Sequence, residues 1–188
     1  MKPPIRLTLI AGIAMAAPTA AQAQDAAHAH APAARASSIG IPADMKAEHD
    51  AIHGRLVAAT TLPGRTGEAA RALARVLHPH FVREEEIALP PLGLLEPLGR
   101  GEFTPDMAAV LAMTDALREE LPRMLEEHAA VRRATMHLGE MARSEGQADA
   151  AELAVELAAH ARADEQIFYP AAILVGEVVR NRAAAQER

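Results

Sequence analysis

The stretch HFVREEEIALP, residues 80–90, recurs later in the chain as HARADEQIFYP, residues 160–170. Both read His, three residues, an acid, Glu, four residues, Pro. In an α-helix, positions i and i+4 lie on one face a turn apart. His80 with Glu84, and His160 with Asp164, therefore each present a nitrogen and an oxygen to the same side. A further histidine precedes each pair at nearly constant distance: His49 in AEHDAI stands 31 residues before His80, and His128 in LEEHAAV stands 32 before His160. The unit is present twice, and its period is that of a helical hairpin.

Length and composition fit this. A chain of 188 residues suits one domain with a core of ordinary size. There is no cysteine, which removes thiolate metal sites, iron-sulfur clusters, thiol catalysis and disulfides and leaves nitrogen and oxygen chemistry. The apolar half of the composition is mostly Ala, Leu, Val and Met, with three Phe, one Tyr and no Trp, a bias toward helices over sheets. The net charge of −6 argues against binding a phosphate backbone, so nucleic acid is set aside.

Along the chain, MKPPIR is cationic, the next stretch is apolar, and Ala21-Gln22-Ala23 is a small-residue cleavage pattern. Residues 1–23 are expected to be a secretory signal, and the apolar run is too short and alanine-rich for a comfortable membrane span. Residues 24–41 lack apolar periodicity and read as a flexible leader, where His28 and His30 are incidental. From Pro42 to the end the pattern is helical. Helix one carries Met45, His49, Ile52, His53 and Leu56 on one stripe; LPGRTG is a turn; helix two carries Leu73, Leu77, His80, Glu84 and Ile87. A connection rich in Gly and Pro, residues 91–103, leads to a start signal at Thr104-Pro105-Asp106. Helix three then runs to about Arg143, with Pro122 expected to break it, and SEGQ is the turn into helix four, which carries Leu153, Leu157, His160 and Asp164. Pro79, Pro90 and Pro170 are expected to kink or end their helices.

The turns supply a geometric check. The midpoint between His49 and His80 falls in LPGRTG, and that between His128 and His160 falls on Ser144. In an antiparallel hairpin, residues equidistant from the turn share a height, here about 23 Å from it at about 1.5 Å per residue. Two such hairpins bring four imidazoles to one layer with the i+4 acids a turn away. A single helical histidine is usually core or surface, and His78 and His137 take that assignment. Four inward histidines with two inward carboxylates are different: burying them is costly without a cation.

The four motifs together, EH on helix one, HFVREE with its LP on helix two, EEH on helix three and HARADE with its YP on helix four, resemble the hemerythrin-like, or HHE cation-binding, domains. The resemblance covers residues 42 to about 175. It implies an all-α, up-down-up-down four-helix bundle with kinked long helices around a non-haem di-iron site. His49, His80, His128 and His160 then correspond to terminal ligands, and Glu84 and an acid of helix four to bridging ones. For that acid helical phase ranks Asp164 first, with Glu165 one residue on as the alternative. The oxygen-carrying members have a His-x3-His pair on helix three, where this chain has Arg132; His53, four residues after His49, is the candidate for a fifth imidazole.

The donor set suits iron, with zinc or manganese as alternatives, and leaves open positions for a diatomic ligand or peroxide. Glu48, Glu85 and Glu127 are expected behind the imidazoles as acceptors for their N–H groups. Tyr169, nine residues after His160, is expected to face away. The functional expectation is a periplasmic or secreted iron protein that binds or senses dioxygen, peroxide or nitric oxide, or handles iron, with no membrane contact after signal cleavage. A di-iron oxidase or peroxidase and a metal-free helical interaction domain are the alternatives. A ferritin-type centre is disfavoured because no Glu-x-x-His occurs.

Overall fold

The computed structural model describes residues 39–186 and 188, so the expected signal segment and most of the leader, with His28 and His30, lie outside the described residues. Among the described residues the chain is helical and has no strand. Helix α1 spans Ala43–Thr60, α2 Gly64–Arg83, a short α3 Leu95–Gly99, α4 Val110–Ser144, α5 Ala148–Ala163 and α6 Tyr169–Gln186. Two π-helical turns complete the long elements: Glu84–Ala88 continues α2, and Asp164–Phe168 joins α5 to α6. Four long helical segments result, and they neighbour one another in a ring, α1 on α2, α2 on α4, α4 on α5 and α5 on α1.

Spacing of apolar residues explains which face each helix buries. In α1 the buried positions are His49, Ile52, Leu56 and Ala59, at three- and four-residue steps. In α4 the steps run Leu117, Met124, His128, Val131, Thr135, Leu138, Ala142. The core forms clusters on either side of the histidines. One, toward the two short turns, includes Leu56, Leu73, Leu77, Leu138, Leu153 and Leu157; another, on the far side, includes Ile87, Leu89, Leu117, Met124 and Tyr169. A polar layer thus lies between two dry ones.

Pro122, expected to divide the third helix, does not: α4 runs unbroken through it. An interior proline costs about 3 kcal/mol through its lost donor and the crowding of the preceding turn. Leu117 and Met124 flank it and are both buried, and each such side chain contributes about 1.5–3 kcal/mol. Burial outweighs the lost hydrogen bond. Pro79 is likewise inside α2. Pro90 and Pro170 do mark changes, since each follows closely on a π turn. Thr104 stands at the start of the helix with Pro105 in its first turn, as expected, but it makes no side-chain cap and that first turn, Pro105–Ala109, is a 3₁₀ helix.

The end of the leader also differs from expectation. Ile39 and Ile41 pack on the apolar clusters, and the Gly40 carbonyl lies against the position a Cβ on Gly93 would take. Composition alone hid this because two isoleucines show no period.

At the turn end, Glu145 closes α2. Its carboxylate accepts from the Arg65 N–H at 3.0 Å, the Thr66 N–H at 2.9 Å and the Thr66 hydroxyl at 2.7 Å. Pro63, at the start of α2, offers no side-chain cap of its own, so a residue 80 positions away supplies it. The Thr66 hydroxyl first, then the Thr66 and Arg65 N–H groups, hold the Glu145 carboxyl below its ordinary 4.5, at about 2. A depressed carboxyl stabilises the fold above its unfolded value and stops doing so as pH falls through its folded one. The Glu145 contribution is therefore complete above pH 4.5 and lost toward pH 2. Thermal melts across that range should show a shallower acid limb for Glu145→Gln than for the parent chain; superposable limbs would count against the cap.

Candidate metal centre

Each long helical segment delivers one histidine to the interior: His49 from α1, His80 from α2, His128 from α4 and His160 from α5. All four are buried. The rings come together in cross pairs, His49 with His160 at 4.9 Å between centroids and His80 with His128 at 4.4 Å. Glu84 and Asp164, the first residues of the two π turns, sit among them at 0% and 1% exposure. Glu84 Oε1 is 3.2 Å from His80 Nε2 and 3.5 Å from His128 Nε2, while Oε2 is 3.8 Å from His49 Nε2. Asp164 Oδ2 lies 3.4 Å from His160 Nε2. Glu84 therefore belongs to two groups, His49–Glu84–His160 and His80–Glu84–His128, and in each the ligand atoms lie within 4.8 Å of one another. Either buried group can hold a metal ion.

The outer nitrogens obey a rule that closes on itself. His49 Nδ1 meets Glu85 at 3.3 Å, His80 Nδ1 meets Glu127 at 3.0 Å, His128 Nδ1 meets Glu165 at 3.0 Å and His160 Nδ1 meets Glu48 at 3.1 Å. Every imidazole is braced by an acid from the next long segment, one to two, two to three, three to four and four to one. Glu48, Glu85 and Glu127 stand where expected. An N–H committed to a carboxylate fixes the tautomer and turns Nε2 inward as a lone-pair donor. Removing a brace such as Glu127→Ala should weaken metal binding about 10–100-fold, read by competition with a chromophoric chelator; unaltered affinity would reduce the acid to a surface charge.

Burial sets the charges. Desolvation opposes charge on Glu84, yet the neighbouring His128 and His80 imidazoles, with the Tyr169 hydroxyl, hold its carboxyl well below the usual range. Burial pushes His49 down; on His80 it is outweighed by Glu84 and Glu127, which leave that imidazole raised. Asp164 is pushed up to about 9 by burial and by the charges of Glu84, Glu48 and Glu165. A cation beside Asp164 would oppose that last shift by favouring the carboxylate.

The fit to a metal rests on unpartnered atoms. Among the described residues, His49 Nε2, His160 Nε2, Glu84 Oε2 and both Asp164 oxygens are buried without a hydrogen-bond partner. Each such atom costs about 1–3 kcal/mol, and all five converge on one place. These are the nitrogen and oxygen donors that a first-row transition metal takes.

Three expectations need correction. Glu165 does not enter the centre: it binds the back of His128 and pairs with Arg132, so its role is to orient, and Asp164 is the inward acid. His53 is not a fifth inward imidazole. It is exposed on the outer face of α1, its ring 5.7 Å from that of His78, beside a cavity of about 140 Å³; in this helix His49 and Ile52 hold the inward phase. Tyr169 faces in, with its hydroxyl donating to Glu84 Oε1. A straight α-helix puts i+9 about 180° from its start, but a π turn absorbs one extra residue and rotates the helix beyond it back by about 100°. The recurrence of an acid pair five residues ahead of Leu-Pro and Tyr-Pro was the available signal for that turn. His78 and His137 are exposed, in keeping with a surface role. A larger cavity, about 470 Å³ beside Arg55, Leu62 and Asp149, contains none of the centre's residues.

No family model, curated protein or solved structure matches the chain. The centre stands on its own geometry: a buried set of nitrogen and oxygen donors with one carboxylate common to both halves.

Proposed function

We propose that this chain is a hemerythrin-type protein, an up-down-up-down bundle that binds a pair of non-haem irons and uses them to bind or sense a small oxidant, or to handle iron. The observation that carries the reading is the convergence of buried, unpartnered His49, His160, Glu84 and Asp164 atoms on one layer. His49, His160 and Asp164 would hold one ion, His80 and His128 the other, and Glu84 both. Bound iron supplies coordination positions open to dioxygen, peroxide or nitric oxide. The chain's own part is to keep Nε2 of each histidine inward through the acid behind it, and to keep bulk water out with apolar clusters on both sides of the layer.

The cationic and apolar opening of the sequence supports a periplasmic or secreted location. Among the described residues no helix is long and apolar enough to cross a membrane. A metal-free interaction bundle accounts less well for the same side chains, because it leaves their polar atoms without partners. The test is metal analysis with visible absorption on the protein purified from its natural compartment. Iron with a ligand-dependent spectrum, reduced in His80→Ala, is the expected result; a metal-free chain with no change on that substitution would end the proposal.

A further inference from the structure

The two halves of the centre are not alike. In the repeat, Leu89 and Tyr169 occupy equivalent positions, each nine residues after its histidine and one before its proline. Both side chains are fully buried. Only one carries a polar atom, and that atom is aimed at the His80–His128 half. The Tyr169 oxygen is 3.1 Å from His128 Nε2 and 3.4 Å from His80 Nε2, and it hydrogen-bonds Glu84 Oε1.

Those distances carry more than hydrogen bonding. Metal bonds to imidazole nitrogen and carboxylate oxygen of about 2.0–2.2 Å place neighbouring ligand atoms about 3.0 Å apart at a right angle and about 3.4 Å apart at the tetrahedral angle. Glu84 Oε1 stands 3.2 and 3.5 Å from the two Nε2 atoms, and the phenol oxygen stands at the same spacing from both nitrogens. It is placed as a fourth vertex of the polyhedron that His80, His128 and Glu84 begin. On the other side the equivalent position is aliphatic, and there the Nε2 atoms of His49 and His160 have no hydrogen-bond partner.

We propose that Tyr169 is a metal ligand, its phenolate oxygen binding the ion held by His80, His128 and Glu84. The proposal rests on the di-iron reading and makes two sites of four residues each chemically unequal: His80, His128, Glu84 and a phenolate at one, and His49, His160, Asp164 and the shared Glu84 at the other. Metal uptake at the first site releases the phenolic proton to solvent, as uptake by ionisable ligands generally does. The consequence is a difference in donor chemistry, a phenolate at the His80–His128 half where the His49–His160 half has a second carboxylate.

Tyr169 is the chain's single tyrosine, so incorporation of ring-deuterated tyrosine labels this residue alone. The protein is loaded aerobically with iron, its metal counted, and its visible and resonance Raman spectra recorded with and without the label. Support is a phenolate-to-iron absorption band whose vibrations shift on deuteration and which is lost in Tyr169→Phe. Iron in both sites with no label-sensitive phenolate vibration overturns the ligand assignment while leaving the di-iron proposal intact. A chain that takes up no iron overturns both.

Discussion

On the proposed di-iron reading, replacing Glu84 by Ala is expected to empty both halves of the centre, taking the iron content from a pair per chain to less than one, whereas His80→Ala should empty one half. The difference follows from where the two oxygens lie. Glu84 Oε1 is within 3.5 Å of His80 Nε2 and His128 Nε2, and Oε2 is the carboxylate oxygen 3.8 Å from His49 Nε2. No other side chain of the centre belongs to both candidate groups. The neighbouring His128 and His80 imidazoles and the Tyr169 hydroxyl also hold the Glu84 carboxyl in its charged form against the cost of burial. Its loss removes the negative charge that makes a dication tolerable in a site walled by Leu89, Leu117 and Met124. Circular dichroism separates loss of metal from loss of fold, since the apolar clusters on both sides are untouched by the substitution. A Glu84→Ala chain that stays helical and still holds a full complement of iron would show that the two halves are independent.

Much of this is legible in the sequence because it depends on period. The recurrence of His-x3-acid marks the two helices that carry both a histidine and an inward acid, and equal distances from two turns predict that His49, His80, His128 and His160 share a layer, as they do. Glu48, Glu85 and Glu127 are legible for a related reason: an acid directly before a histidine, or five after one, lies off the inward face and within reach of the neighbouring helix. Glu165 occupies in the second hairpin the place Glu85 occupies in the first, a symmetry that the expectation of Glu165 as an alternative inward acid passed over.

Features that depend on a change of phase, or on energies that period does not encode, are not legible in the same way. The π turns at Glu84–Ala88 and Asp164–Phe168 alter the rotation of everything beyond them, whereas a uniform helix projects Tyr169 outward. The local cost of Pro122 omits the buried Leu117 and Met124 that hold α4 together across it. His53 satisfies a spacing rule but not the angular one, since His49, Ile52 and Leu56 already define the inward face of α1. In each case the sequence supplies the residue type and tertiary packing decides its direction.

Stripping the metal is expected to lower the melting temperature by about 8–16 °C for each site that was filled. A ligand bound only by the folded chain and present at a thousand times its dissociation constant contributes about 4 kcal/mol, and for a chain of this size each kcal/mol moves the midpoint by about 2–4 °C. The direction has a separate basis in the structure. Without an ion, five buried polar atoms of His49, His160, Glu84 and Asp164 lack partners, and the Asp164 carboxyl is driven up to about 9 by burial and the acids around it. The folded state then carries all of that cost, while the unfolded chain hydrates the same groups freely. Paired melts of iron-loaded protein with and without a strong chelator measure the difference. His53→Ala sharpens the comparison, because His53 is exposed beside His78 rather than in the layer; the chelator shift should survive that substitution in full and shrink in His160→Ala. A shift abolished by His53→Ala and kept by His160→Ala would move the metal from the interior to the outer face of α1 and α2.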